Sequence, residues 1–190
     1  MIGLKRGDVS LYDHENEWDT EGERTVNELF EILGGDARDI QHIGSTSVKS
    51  IKAKPIIDIA VAADSFERIL SHENELLQSG YHYRPDKTTD GEQLLFAKGS
   101  YYEGGDMQTH FIHVVKYNSM QWRNYINFRD FLNAFPEIAK QYESVKTGLV
   151  EKLGSVGSRN GYVEGKAEFI SRILRKATAW SFLVKTVTME

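Results

Sequence analysis

Residues 42–60, HIGSTSVKSIKAKPIIDIA, combine the residue types that a site for a phosphorylated ligand requires. Gly44 allows the backbone to come close to a ligand, and the hydroxyls of Ser45 and Thr46 can bind phosphate oxygens together with backbone N–H groups. A Gly-Ser pair alone is typical of an ordinary turn. Asp58, however, follows Ser45 by thirteen residues and interrupts an otherwise apolar run, where a carboxylate requires an explanation. The combination predicts a phosphate-binding loop beside an acidic side chain.

The same region carries positive charge, because residues 45–57 contain three lysines and no acidic residue. These lysines are Lys49, Lys52 and Lys54. A solvated loop is one explanation of this charge, and a small anionic ligand is the other. Lys54 directly precedes Pro55, which favours an extended backbone from which the lysine can reach a phosphate group. We therefore interpret Lys54 as a candidate phosphate-binding residue.

Asp58 is the candidate metal ligand, but it has no acidic neighbour on its own face of the strand. Side chains at positions 58 and 60 point to the same face, and position 60 is an alanine. Two-metal catalysis needs several anionic oxygens, which one aspartate does not supply. A histidine from the strand-like run THFIHVV, residues 109–115, is the candidate replacement. Because side chains alternate, His110 and His113 face opposite ways, and only one of them meets Asp58 unless a bulge intervenes.

Composition excludes several classes of site and partner. The 190 residues include no cysteine, so disulfides, zinc–thiolate centres and thiol nucleophiles are excluded, and a metal would be Mg²⁺ or Mn²⁺ among oxygen and imidazole ligands. The net charge of −5 argues against general binding to duplex nucleic acid. No apolar stretch approaches the roughly 18 residues of a membrane span, and the first residues do not resemble a signal peptide. We expect a cytoplasmic protein that does not bind membranes.

The order of the predicted elements indicates one α+β domain over residues 1–177, with a largely antiparallel or mixed β-sheet flanked by helices and a helical C-terminal part. The predicted helices are 17–33, 65–78, 119–134, 136–153 and 161–176, and the predicted strands are 39–43, 55–62, 81–84, 93–98 and 107–116. Residues 178–190, TAWSFLVKTVTME, form an apolar C-terminal extension. It could lengthen the last helix, add an edge strand, or pack against another subunit in a homo-oligomer.

The spacing of Gly44-Ser45 and Asp58 is the signature of the nucleotidyltransferase fold, in which Gly-Ser binds phosphate and acids on the next strand hold Mg²⁺. Longer motifs resemble those of the GrpB family. They are 42–48 (HIGSTSV), 54–59 (KPIIDI), 109–115 (THFIHVV) and 127–132 (NFRDFL), followed by Pro136, Tyr142, Lys146, Tyr162, Lys166, Phe169 and Ile170. The resemblance extends from about residue 7 to residue 176 and implies a nucleotidyltransferase-like fold.

Within this resemblance, His113 occupies the histidine position that the family keeps better, so we favour it over His110 as the partner of Asp58. Tyr162 and Lys166 lie four residues apart on one helical face, which suits a substrate-facing pair or, equally, a packed tyrosine beside a solvated lysine. The candidate catalytic and metal-binding residues are Asp58 and His113. The candidate phosphate- or nucleotide-binding residues are His42, Gly44, Ser45, Thr46, Lys54 and Lys166.

The expected ligand is a nucleotide or another phosphorylated small molecule, and the expected reaction is metal-dependent transfer of a nucleotidyl or phosphoryl group. A different class of function is also open, namely a non-catalytic binding module that has lost the second metal-binding acid. Ala60 favours this second class, whereas the joint presence of Lys54, Asp58 and His113 favours the enzyme. In a third reading all of these residues are structural.

Overall fold

A computed structural model describes residues 1–89, 91–154 and 159–187, and a five-stranded mixed sheet lies at its centre. The strands are β1 (Leu4–Lys5), β2 (Ala37–Ile43), β3 (Ile57–Ala63), β4 (His82–Tyr83), β5 (Gln93–Lys98), β6 (Met107–Gln108) and β7 (His110–Lys116). The sheet order is β2-β3-β7-β5-β4, and β1 pairs with β6 in a separate two-stranded sheet. β3 is parallel to β7, and the other neighbouring pairs are antiparallel.

Helices cover both faces of the sheet. They are α1 (Asn16–Leu33), α2 (Phe66–Ser71), α3 (Glu73–Gln78), α4 (Met120–Ala134), α5 (Pro136–Leu153) and α6 (Arg159–Val187). Alternate residues of β3 enter different cores: Ile57 and Ile59 pack with α1, whereas Ala60 packs with Trp122 of α4. A strand buried on both faces explains the nearly continuous apolar sequence of this segment. The predicted α+β architecture is confirmed.

Helix ends follow the local signals in the sequence. The Ser119 hydroxyl accepts a hydrogen bond from the backbone N–H of Trp122 and caps α4. The Ser65 hydroxyl accepts one from the backbone N–H of Arg68 and caps α2. Pro136 occupies the first turn of α5, where its missing N–H costs nothing. These contacts set the start of α4 and α5 at the positions that the sequence predicts.

Two predicted elements are divided in the structure. The predicted helix 65–78 is two short helices separated at His72, whose ring bonds to Asp36 at 3.1 Å. The predicted strand 107–116 is also divided, because Met107 and Gln108 pair with β1 and β7 begins only at His110. In both cases a residue of the predicted element contacts a partner distant in sequence instead of continuing the element: His72 contacts Asp36, and Met107 and Gln108 pair with β1.

The C-terminal part is one long helix that continues past residue 177. Of the apolar extension, residues 178–187 belong to α6, and residues 188–190 lie outside the described part of the chain. The Trp180 ring lies 5.8 Å from the rings of both Phe131 and Phe135, so the extension packs on the helical core. No helix in the described ranges meets the length and hydropathy that a membrane span requires.

Candidate functional site

Asp58 and His113 are neighbours on the same face of the sheet. In the parallel pairing of β3 and β7, Ala60 lies opposite His113, so the imidazole leans toward the side chain two residues earlier on β3. Nε2 of His113 lies 3.2 Å from Oδ1 of Asp58. His110 points to the other face, where its Nε2 lies 3.0 Å from a Glu21 carboxylate oxygen. The structure therefore brings together the two residues predicted as catalytic.

The Gly44-Ser45 turn lies directly against Asp58. Gly44 has a φ of 75°, which favours glycine, and a Cβ atom there would lie only 2.6 Å from Oδ2 of Asp58. The next residues form a short 3₁₀ turn, in which the Ser47 hydroxyl donates to the carbonyl of Gly44 at 2.7 Å. Glycine is thus required both for the turn and for its close approach to the carboxylate.

Two adjoining cavities, of about 300 and about 350 Å³, form a cleft between this face of the sheet and the C-terminal helices. Ser45, Asp58, His113 and Lys166 line both cavities. We call the first cavity the polar end, and it is also lined by Thr46, Lys54, Ile56, Leu95, Phe111, Tyr162 and Val163. We call the second the aromatic end, and it is also lined by Ile43, Gly44, Gln121, Asn124, Tyr125, Phe128, Tyr142, Ile170 and Leu174. Cavities of this size accommodate small ligands.

Lys54 and Lys166 converge on the ring of Tyr162 at the polar end. Their Nζ atoms lie 5.1 and 4.6 Å from the ring centroid, which holds two positive charges on one aromatic ring. The other lysines of the segment 45–57 have different partners: Lys49 forms an ion pair with Asp19, and Lys52 forms one with Asp13. Of the three lysines in that segment, Lys54 is the one that lines the cleft.

His42 lies behind the loop and lines neither cavity, so the structure does not bring it into the cleft with the other predicted residues. It pairs with Ile59 on the sheet, and its ring packs so closely on α1 that a Cβ at Gly22 would lie 2.3 Å from Nδ1. Burial lowers the pKa of His42 to about 4, so the ring is neutral at pH 7. Its Nε2 lies 3.0 Å from the Thr46 hydroxyl, which donates to the carbonyl of Ile56. His42 positions the loop from behind.

Comparisons with known proteins show the family of the chain. The family model described as GrpB protein matches residues 8–176. The chain belongs to the GrpB family. Glutamate-rich protein GrpB of Alkalihalophilus pseudofirmus is 37% identical over 177 residues, which cover 93% of this chain and 99% of that protein. The crystal structure of the conserved protein GrpB from Enterococcus faecalis superposes with a TM-score of 0.81 at 27% identity, over 91% of this chain and 99% of that one.

A more distant likeness concerns the fold of this GrpB-family chain. The Cid1 poly(U) polymerase, in a structure with Mg 3′-dATP bound, matches with a TM-score of 0.53 at 15% identity. The match covers 82% of this chain and 49% of the polymerase chain. At that identity the likeness shows the fold alone, and the fold is nucleotidyltransferase-like, as the GrpB resemblance implies.

The donor set of the GrpB-family site fits one divalent ion and does not fit two. Within the described ranges, no group of three or more His, Asp or Glu side chains is arranged to hold a metal. Ala60 is fully buried beside Trp122. Apolar side chains therefore surround the position at which a second acidic metal ligand would be needed. One or two protein ligands suffice for Mg²⁺ when substrate phosphates and water complete its coordination. Oδ1 of Asp58 and Nε2 of His113, which lie 3.2 Å apart and belong to residues that line the cleft, offer that partial set.

A buried lysine next to the cleft carries no predicted role. Lys146 of α5 is 1% exposed, and its Nζ donates to the carbonyl of Lys52 and lies 4.7 Å from the centroid of the Tyr142 ring. Burial lowers its pKa to about 7, and the charge of Lys166 acts in the same direction. The sequence does contain a signal: with Ala139 and Tyr142, Lys146 falls on the buried stripe of α5.

Proposed function

We propose that this GrpB-family protein binds a nucleotide or another phosphorylated small molecule in the cleft beside Asp58. One observation carries the proposal: the cleft has two lysines on a tyrosine ring at its polar end and a cluster of aromatic rings at its aromatic end. Phosphate oxygens suit the lysines and the hydroxyls of the loop, and a nucleobase suits the aromatic rings. Ser45, Asp58 and His113 line both ends and lie between them.

The chemistry that this arrangement favours is transfer of a nucleotidyl or phosphoryl group. Such reactions depend on positioning and charge stabilisation more than on covalent intermediates. Lys54 and Lys166 would place positive charge beside the phosphates, while the Ser45 hydroxyl would orient one of their oxygens. Nε2 of His113, which lies 3.2 Å from Oδ1 of Asp58, would either accept the proton of a hydroxyl that binds beside this pair or bind a metal together with Oδ1, but not both at once. A bound Mg²⁺ or Mn²⁺ ion, held through Asp58 and His113, would supply further charge neutralisation.

A non-catalytic binding module is the second candidate, and a specific observation favours it. Ala60 belongs to the apolar cluster that joins α4 to the sheet, so the position lacks both an acid and room for one. A protein with this site would retain the lysines and the loop for binding, without the oxygens that two-metal catalysis needs. The two candidates share the ligand and differ only in turnover.

Nucleotide binding with and without Mg²⁺ tests the proposal. We expect ATP or GTP to bind the wild-type protein more tightly when Mg²⁺ is present. The Asp58→Asn variant should lose that gain, because the amide removes the charge while keeping the size of the side chain. Asp64→Asn is the matched control, since Asp64 follows β3 and pairs with Arg38 at the surface. An equal effect of Mg²⁺ on all three proteins would remove Asp58 from the metal site.

Turnover then separates the two candidates. Nucleoside triphosphates that bind are incubated with Mg²⁺ or Mn²⁺ and a panel of acceptors, and release of pyrophosphate and phosphate is measured. Release that disappears in Asp58→Asn and in His113→Asn supports the transferase. Binding without release on any acceptor supports the binding module. If none of the four nucleoside triphosphates binds, the proposal of a nucleotide ligand is wrong.

A further inference from the structure

Lys146 connects the lysine-bearing loop to the helical part of the cleft. Its Nζ donates to the carbonyl of Lys52, two residues before Lys54, in a stretch where Ile51 and Ala53 are both fully buried. The same Nζ lies against the ring of Tyr142, which lines the aromatic end of the cleft. A side chain of α5 therefore holds the backbone of this loop two residues before Lys54 enters the polar end.

The charges that face Lys146 come from three elements and are mostly positive. Lys166 on α6 and Lys54 on the loop oppose a charge on its ammonium, and so does Lys140 on α5. Glu143 is the acid that favours the charge, but it already forms an ion pair with Lys140 at 2.7 Å. The adjoining aromatic hydroxyls do not supply a negative charge, because burial raises the pKa of both Tyr142 and Tyr162.

We propose that Lys146 is a positioning residue that takes up a proton when a phosphate group binds between Lys54 and Lys166. This inference rests on the proposed function and adds a coupling to it. Lys146 does not line the cleft, so it acts through the field of the two lysines and through the loop that it anchors. An anion at the polar end offsets the repulsion from these lysines, which adds to the effect of burial in lowering the pKa of Lys146.

The direction of the coupling follows from proton linkage. Burial and Lys166 lower the pKa of Lys146 in the unliganded protein to about 7, and a bound phosphate raises it. At a pH above the pKa of Lys146 in the free protein, the complex holds more protons than the free protein. The affinity for the phosphate ligand therefore falls as pH rises. A rise of one pKa unit corresponds to about a tenfold change in affinity. Below the pKa of the free protein, Lys146 is charged in both states and contributes no further pH dependence.

The affinity of MgATP between pH 7 and pH 9 provides the test. In this range the last proton of the phosphate has already dissociated, since its pKa is near 6. Because Lys146 is already about half protonated at pH 7, a rise of one pKa unit makes the affinity of the wild-type protein fall about fivefold across the range. In Lys146→Met the affinity should not depend on pH. Lys152→Met is the control, because it removes an exposed lysine from the same helix that is not among the charges acting on Lys146, and it should keep the wild-type profile.

Calorimetry of the wild-type protein in buffers of different ionisation enthalpy gives an independent measurement, which needs no variant to fold. For a rise of one pKa unit we expect uptake of about 0.4 proton for each MgATP bound at pH 8. Binding without proton uptake, or with the same pH profile in the wild-type protein and Lys146→Met, overturns the role of Lys146 and leaves the proposed function intact. Absence of MgATP binding at every pH overturns both.

Discussion

Gly44 and Asp58 are in such close contact that position 44 admits no side chain: a Cβ atom there would lie 2.6 Å from Oδ2 and 2.9 Å from Cβ of the aspartate. Gly44→Ala must therefore displace either the loop or the carboxylate. We expect nucleotide affinity to fall at least tenfold and the free energy of unfolding to fall by about 2 kcal/mol, from the left-handed backbone and the collision together.

Gly154→Ala is the control for this variant, because Gly154 has nearly the same φ, 76°, and no atom of the described residues lies within 4 Å of its hypothetical Cβ. It should lose about 1 kcal/mol from the backbone alone and keep wild-type affinity. Equal stability and affinity losses in the two variants would show that the contact with Asp58 has no special effect. Denaturant unfolding and equilibrium binding of ATP measure both quantities.

An acid introduced at position 60 should not restore a second metal ligand. Ala60 is fully buried among Ile43, Val115 and Trp122, so Ala60→Asp places a carboxylate in an apolar cluster. We expect a loss of about 3 kcal/mol at pH 7 and no gain in Mg²⁺ affinity. The loss should shrink toward pH 5, because burial raises the pKa of the new carboxyl and it becomes protonated. Ala60→Asn, of equal size, should show a loss that does not depend on pH.

The buried histidines should make the fold sensitive to mild acid. Burial lowers the pKa of both His42 and His110 to about 4, below the value of about 6.5 in an unfolded chain. At a pH between these two pKa values the unfolded state therefore binds more protons than the folded state. The free energy of unfolding consequently decreases as pH falls from about 6.5 toward 4. We expect a loss of roughly 1 kcal/mol per pH unit for each histidine in the middle of this range.

Urea unfolding at pH 7 and pH 5 measures that loss in the wild-type protein and in His42→Asn and His110→Asn. Each substitution should remove the part of the pH dependence of the free energy of unfolding that one histidine contributes. A free energy of unfolding that is equal at the two pH values in the wild-type protein would contradict the neutral state of both rings.

The end of α6 should contribute to stability through one aromatic side chain. Trp180 contacts the rings of Phe131 and Phe135, whereas Phe182 is 69% exposed. We expect Trp180→Ala to lose about 2 kcal/mol, because a half-buried ring is removed from the helical core. Phe182→Ala should stay within about 0.5 kcal/mol of the wild type. A comparable loss in both variants, measured by thermal unfolding, would contradict the packing of the extension.

The sequence predicts the parts of this site that depend on local periodicity. Alternation along one strand is enough to place His113 and His110 on opposite faces. The GrpB resemblance favours His113, and the structure puts His113 beside Asp58. The Gly-Ser turn and the Ser119 cap follow in the same way from residue type. The α+β class required only the order of the elements.

Contacts between distant segments explain what the sequence does not predict. Lys49 and Lys52 turn away from the cleft because acids more than 25 residues earlier pair with them. The prediction for His42 ignores the sheet face that its position in β2 imposes, and the burial of Lys146 depends on a carbonyl that arrives from a remote loop. Residue types alone do not specify such partners.

The affinity of MgATP for two double variants tests whether the cleft is the ligand site. Lys54→Met with Lys166→Met removes both charges from the ring of Tyr162, and Lys49→Met with Lys52→Met removes two neighbouring charges that pair elsewhere. If phosphate binds at the polar end, the first double variant binds MgATP at least tenfold more weakly, because two charge-assisted hydrogen bonds are lost. The second double variant should change the affinity for MgATP less than about threefold. Equal losses in the two double variants, or no loss in the first, would contradict binding at this site.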